Sequence, residues 1–185
     1  DYISFNNGNS NGLGSLLANL YDTDNALRNT QTLYRQNYSY VRILTALTFS
    51  DHTITQLRNS GSLRLIRNKA VTHAIAVYWS NIDRLRSLNE IVARRADEIF
   101  TVGNHIFMSK YWTSSATDKV TGIRSAIIDP AARLMTLDTN TLINYANFVH
   151  RFNNGIDNFF IPGLKEQRTR AANLINLIKK EYHLE

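Results

Sequence analysis

Five histidines, His52, His73, His105, His150 and His183, are the first residues in this chain of 185 that could hold a metal or carry a proton. No two stand three or four apart, so no helix offers a two-histidine metal face. No Glu-x-x-His pair occurs, which sets aside a di-iron carboxylate centre. Carboxylates are sparse. Asp97-Glu98 is an adjacent pair flanked by Arg94 and Arg95, and the four-residue step from Arg94 to Glu98 reads as a surface ion pair rather than acid-base machinery. There is no cysteine, so disulfides, thiolate catalysis and sulfur-ligated zinc are excluded. No serine sits in a nucleophile elbow, and Gly8, Gly12 and Gly14 follow no strand, so they form no phosphate cradle. One enzymatic arrangement remains to be checked: His105 and His150 would meet if the helices carrying them ran antiparallel.

The basic residues raise a different chemistry. Net charge is +6, yet Lys and Arg are spread along the chain without a run of five. The densest groups are Arg58, Arg64, Arg67 and Lys69, and Arg84, Arg86, Arg94 and Arg95. The first of these groups is the candidate interaction surface. The plainer reading is a mixed, solvated surface. Aromatic residues interleave with these cations, a pattern that can stack single-stranded nucleic acid. Rings at helical spacing more often form core, and some of them could line a small-molecule pocket between helices.

The elements that must position these residues are helical. From Asn68 to about Trp112 there is no proline. Val71, Ile75, Tyr78, Ile82, Leu85, Leu88, Val92, Ala96, Ile99, Val102 and Ile106 recur in steps of three and four. This is one apolar stripe on a helix that would span roughly 65 Å at 1.5 Å per residue and fade after Lys110. Such a stripe must be buried against other helices. Residues 1–12, rich in Asn, Ser and Gly, read as a flexible lead-in. A first helix then runs from Leu13 to about Thr48 along Leu16, Leu17, Leu20, Leu27, Tyr34, Tyr38, Val41, Leu44 and Leu47, with Asp24 and Gln31 interrupting its face. Ser50-Asp51 caps a short helix through Leu57, Ser60-Gly61 stops it, and Leu63, Leu65 and Ile66 plug the end of a bundle. Asn68 caps the long helix. Thr113 to Gly122 reads as a loop, and Ile123 to Asp129 as either a helical turn or an extended piece. Asp129-Pro130 opens a short helix over AARLM, and Asp138 or Thr139 caps the next. Pro162-Gly163 breaks or kinks that run before a last helix bearing Leu174, Ile175, Leu177, Ile178 and Tyr182. Asparagine is abundant, at 21 residues, and is read as solvated positions and caps. The expected fold is all-α: one domain over residues 13–183, an antiparallel bundle of three to four long helices with short connecting helices.

The segment SDHTITQLRNSGSLRLIRNKAVTHAIAVYWSN, Ser50 to Asn81, carries a pattern of Ser60-Gly61, Leu63, Ile66-Arg67-Asn68, Ala74-Ile75 and the aromatic pair Tyr78-Trp79. It resembles an uncharacterised domain-of-unknown-function family of Bacteroidetes proteins. LLANLYDTDNALRN, Leu16 to Asn29, is similar to that family's opening helix, and LINLIKKEYHLE, Leu174 to Glu185, to its closing one. Members usually show two tyrosines where this chain has Tyr78-Trp79, and Thr113 to Asp129 has no counterpart. The resemblance implies one N-terminal transmembrane helix upstream of Asp1 and a helical domain outside the cytoplasm. It brings no catalytic residues. Leu184-Glu185 looks like the start of an appended tag.

These readings converge on a non-enzymatic helical domain of a membrane-anchored protein. It would sit on the periplasmic side of the cell membrane and work by protein interaction, self-association or ligand sensing. No cofactor, metal or catalytic residue is expected. The alternative is a nucleic-acid-binding helical domain using the basic patch of Arg58, Arg64, Arg67 and Lys69.

Overall fold

Spacing of the buried residues accounts for most of the elements. The computed structural model describes residues 2–22, 24, 28–41, 49–50, 52–117 and 124–183. In chain order it forms α1 (Tyr2–Tyr21), α2 (Thr30–Gln36) with a π turn at Asn37–Val41, α3 (His52–Asn59) and a 3-10 turn at Ser62–Leu65. Then come α4 (Lys69–Gly103), a 3-10 turn at Ser109–Tyr111, β1 (Trp112–Thr117) and β2 (Arg124–Ile128). The chain closes with α5 (Thr139–Gly155), a π segment at Ile156–Phe160 and α6 (Ile161–Tyr182). The protein is all-α, a helical bundle fold, apart from the two-stranded antiparallel hairpin. Where one bundle domain over residues 13–183 was expected, the chain divides into two compact units. The first is Asp1–Thr45 with Glu90–Ile161, and the second is Ala46–Asn89 with Pro162–Glu185.

In the first unit the expected lead-in is corrected: residues 2–12 are the first half of α1. The buried positions of this helix are Asn6, Asn9, Ser10, Gly12, Leu13, Leu16, Leu17 and Leu20. Their steps of three and four continue one stripe, but its first half is built from small polar side chains, so apolar periodicity cannot reveal it. Packing offsets their weak helix propensity. Ser10 Oγ donates to Asn153 Oδ1 of α5 at 2.9 Å. The ring of Tyr40 lies directly over Gly12, where a Cβ would overlap it. The single helix expected from Leu13 to Thr48 is more than one element: α1 ends at Tyr21, α2 begins at Thr30, and Asn19 Nδ2 on α1 donates to Gln36 Oε1 on α2 at 2.9 Å. Leu27, Leu44, Leu47 and Asp51 lie outside the described residues.

The stripe of α4 is present as read, with Val71, Ile75, Ile82, Leu85, Val92 and Ile99 buried. The helix nevertheless ends at Gly103, short of the expected Lys110. Ile106 and Phe107 both donate their N–H groups to the Gly103 carbonyl, at 2.9 and 2.8 Å, turning the chain away. Thr113 to Thr117, expected as loop, lies instead in β1, and Arg124–Ile128, within the stretch read as either a helical turn or an extended piece, is the extended strand β2. They pair with Trp112 opposite Ile128, Thr113 opposite Ile127 and a bulge between Ser114 and Ala116. Thr and Ile suit a pleated strand, and Ile128 faces inward while Ile127 faces out. The hairpin rests on α2 and its π turn, which a two-stranded ribbon needs for stability.

Asp129-Pro130 opens a tight turn rather than a helix over AARLM. Asp129 takes Ala131 N–H on its carboxylate at 2.7 Å and Ala132 N–H on its carbonyl at 2.9 Å, and no helical ladder follows. Asp138 does cap α5, accepting from Thr141 N–H at 2.8 Å. Pro162 breaks nothing: helix runs on through it, and the turn is widened into the π segment just before it. Proline lacks an N–H and crowds the carbonyl four residues back, and a widened turn relieves that clash. The expected aromatic core is present. Tyr34 meets the rings of Phe107, Tyr111 and Trp112 at 5.1, 6.1 and 5.5 Å, mostly edge-on.

In the second unit, the first part of α4 and α6 run antiparallel. Asn68 Nδ2 donates to Glu181 Oε2 at 2.6 Å, and Asn81 Nδ2 donates to Gln167 Oε1 at 2.6 Å. Asn81 and Gln167 are both buried, and Gln167 Nε2 also donates to the Tyr78 carbonyl at 3.3 Å. The reading of asparagine as solvated positions and caps is therefore corrected at Asn6, Asn9, Asn37 and Asn81, all buried. It holds at Asn68, which accepts Ala70 N–H at 2.8 Å to start α4. Within this unit α3 has no buried residue.

Candidate binding site

The basic patch and its surroundings belong to the second unit. Gly61 adopts a left-handed conformation, φ 69°, which ends the turn after α3 and folds the chain back toward α4. Arg58, Arg64, Arg67 and Lys69 are all exposed. Two of them are engaged locally. Arg64 Nε donates to the Gly61 carbonyl at 3.3 Å, and the Arg58 guanidinium lies 5.6 Å from the centre of the Trp79 ring. Leu65, expected to plug a bundle end, is 79% exposed, because the 3-10 turn places it outward. Leu63 and Ile66 are half-buried.

Beneath Arg58 is a cavity of about 250 Å³ between α3 and the start of α4. Its apolar wall is Ile54, Leu63, Ile75, Ala76 and Trp79, and Arg58, Ser80 and Asp83 complete the lining. Asp83 is held by Arg86 at 3.2 Å. Arg86 in turn sits 5.4 Å from the Trp79 ring centre and 5.8 Å from that of Phe49. Ser80 Oγ donates to the Val77 carbonyl at 3.1 Å. Among the described residues, the Trp79 indole N–H is buried without an acceptor. A second groove of about 250 Å³ lies between α4 and α6, walled by Val77, Tyr78, Leu174 and Leu177 with His73 and Arg170 on its edge.

A charged cluster closes the same helix pair. Glu166 accepts from Arg170 at 2.5 Å and from Arg84 at 3.0 Å. The hydrogen bond and charge of Arg170, with Arg84 beside it, hold the Glu166 carboxyl below its ordinary range. In the first unit, hydrogen bonds from Thr141 lower the Asp138 carboxyl. Burial raises the Tyr34 and Tyr145 phenols, which serve structure: Tyr34 O–H donates to the Arg133 carbonyl at 2.9 Å, and Tyr145 O–H donates to Asn37 Oδ1.

The other sequence candidates fall apart in space. Arg94 and Glu98 form no ion pair, and the neighbouring Arg95 donates to the Arg151 carbonyl at 3.3 Å. His105 is exposed in the turn after α4. His150 is exposed on α5 and pairs with Asn154 of its own helix at 3.0 Å. Among the described residues no three His, Asp or Glu groups gather as metal ligands. No helix among them is long and apolar enough to cross a membrane. Trp79, read only as half of an aromatic pair, proves to organise the site. Its sequence signal is the four-residue step from Ile75 and the seven-residue step to Arg86 on one helix, with Arg58 upstream.

Compared with known protein families, with curated proteins and with solved structures, the chain matches none.

Proposed function

We propose that this chain is a non-enzymatic helical binding domain, held at the cell membrane on the periplasmic side by an anchor upstream of Asp1, and that it works through protein contact, first of all with a second copy of itself. The anchor and the location rest on the resemblance of Ser50 to Asn81 to membrane-anchored Bacteroidetes proteins. The contact rests on α6. Ala171, Ile175, Ile178 and Tyr182 fall in steps of four, three and four on one face of that helix. Ile175 is 54% exposed and Tyr182 48% exposed, while Leu174 and Leu177 turn to the groove with α4. A helix with two apolar stripes, one of them outward, is shaped to receive another helix.

Sedimentation equilibrium tests this reading. Wild type should associate as concentration rises, and Ile175→Asp should remain monomeric. A wild-type chain that stays monomeric and behaves like Ile175→Asp overturns it. The four exposed cations Arg58, Arg64, Arg67 and Lys69 support a second reading, contact with nucleic acid. It predicts an electrophoretic shift at low salt that disappears at high salt, and no shift at low salt removes it.

A further inference from the structure

The cavity under Arg58 has a one-sided chemistry. Its wall is hydrocarbon and indole, and Arg58 is the one cation among its described lining residues. The Arg58 guanidinium lies over the Trp79 ring and has no carboxylate partner among the described residues. Asp83, the one carboxylate among the described lining residues, is already paired with Arg86 at 3.2 Å. The Ser80 hydroxyl spends its proton on its own helix at 3.1 Å. A cationic ligand would be repelled by Arg58 and would have to compete with Arg86 for Asp83. A neutral hydrocarbon would leave the guanidinium unmatched. A ligand carrying one anionic acceptor on an apolar body satisfies both halves of the lining, since a charge-assisted bond to guanidinium is stronger than a neutral one. The volume of about 250 Å³ is below the roughly 300–1,000 Å³ of drug-sized pockets, so the body is short.

We propose that the cavity between α3 and the start of α4 binds a small apolar monocarboxylate, with Arg58 holding the carboxylate and Ile54, Leu63, Ile75 and Trp79 enclosing the hydrocarbon. The inference rests on reading the chain as a binding domain, but it uses a different surface from the α6 stripe. Ligation would draw α3, which has no buried residue of its own, onto α4, so occupancy would be read out as ordering of that helix.

The indole N–H signals of Trp79 and Trp112 in a nitrogen-15 NMR spectrum provide the test, because Trp112 lies in the first unit and serves as the internal control. Titration with hexanoate should move the Trp79 signal saturably and leave Trp112 in place, while hexylamine and hexanol at equal concentration should not saturate it. Arg58→Leu, an exposed change that keeps the aliphatic stem, should weaken hexanoate roughly tenfold or more. Ala76→Phe, also at an exposed position, should block the cavity and abolish the shift. Ile175→Asp should bind hexanoate as wild type does. Absence of a saturable Trp79 shift, equal response to hexylamine, or undiminished binding by Arg58→Leu overturns the proposal. If hexanoate fails while Ile175→Asp still breaks self-association, this inference fails alone; if association fails while hexanoate binds through Arg58, the carboxylate site stands without it.

Discussion

The two units of this chain use the same helices differently. In the first, rings and leucines close a core: of the twelve largest fully buried side chains among the described residues, all but Leu85 belong to it. In the second, Val71, Ile75, Ile82, Leu85 and Leu164 are buried, a buried amide pair and an exposed charge cluster join α4 to α6, and α3 buries nothing. The first unit has the packing of a scaffold, and its opening of about 400 Å³ between Arg28, Arg35 and Pro130 is walled mainly by polar groups, whereas the second unit's grooves have apolar walls. Both apolar grooves and the basic patch fall in the second unit.

The strongest way to break this comparison is to attack the first core. Phe152 is fully buried on α5, and Phe152→Ala should lower stability by about 3–5 kcal/mol, read from the denaturant midpoint. Hydrogen exchange on the same variant should show α1 and α5 losing protection together. A loss under about 1 kcal/mol would mean that the first unit is no better packed than the second.

The second unit should answer to polar pairing instead. Asn81→Ala leaves the buried Gln167 Oε1 without its donor and should cost about 1–3 kcal/mol, whereas Asn81→Leu with Gln167→Leu should recover most of that. If the double variant is as weak as the single one, amide pairing is not what aligns α4 with α6.

A smaller effect separates the units by pH. Glu166 in the second unit and Asp138 in the first both have native carboxyls held below their ordinary values, so both states are ionised above those values and the stabilisation is complete there. As pH falls through the ordinary range toward the lowered native values, the unfolded chain takes up protons first and stability is lost. Glu166→Gln and Asp138→Asn should each flatten part of the acid limb of the melting temperature. Exchange-detected unfolding should assign the Glu166 share to α6 and the Asp138 share to α5. Both groups are surface-exposed, so the changes should be small and should shrink with added salt.

The sequence was legible where burial used apolar residues at one period. The α4 stripe, the Asn68 and Asp138 caps and the Gly61 stop could all be read because each rests on local chemistry. The start of α1 was illegible because its buried stripe is made of Asn6, Asn9, Ser10 and Gly12, residues whose local preference is for turns and whose helical state depends on α5 and Tyr40. The end of α4 was overread because Ile106 keeps the spacing of the stripe while belonging to the turn after Gly103. The hairpin is only half legible: an extended piece over Ile123 to Asp129 is one of two readings, and its pairing with Thr113 spans a gap that no short window sees. Of the candidate site, Arg58 was named for its charge alone. What it does is set by Trp79, some twenty residues away in sequence, and no spacing rule connects the two.

Leu65 offers the smallest expected effect and the sharpest test of that lesson. Its place between Leu63 and Ile66 suggests a plug, and a plug reduced to alanine costs about 2–5 kcal/mol. In the structure the 3-10 turn turns Leu65 outward, 79% exposed, while Leu63 alone of the three lines the cavity under Arg58. Leu65→Ala should therefore change stability by no more than about 0.5 kcal/mol. Leu63→Ala should cost more than Leu65→Ala in the same denaturation experiment. Should the two exchange ranks, the turn after Gly61 is rotated from the arrangement described, Leu65 closes the bundle end after all, and the opening in the second unit on which the carboxylate site depends is narrower than drawn.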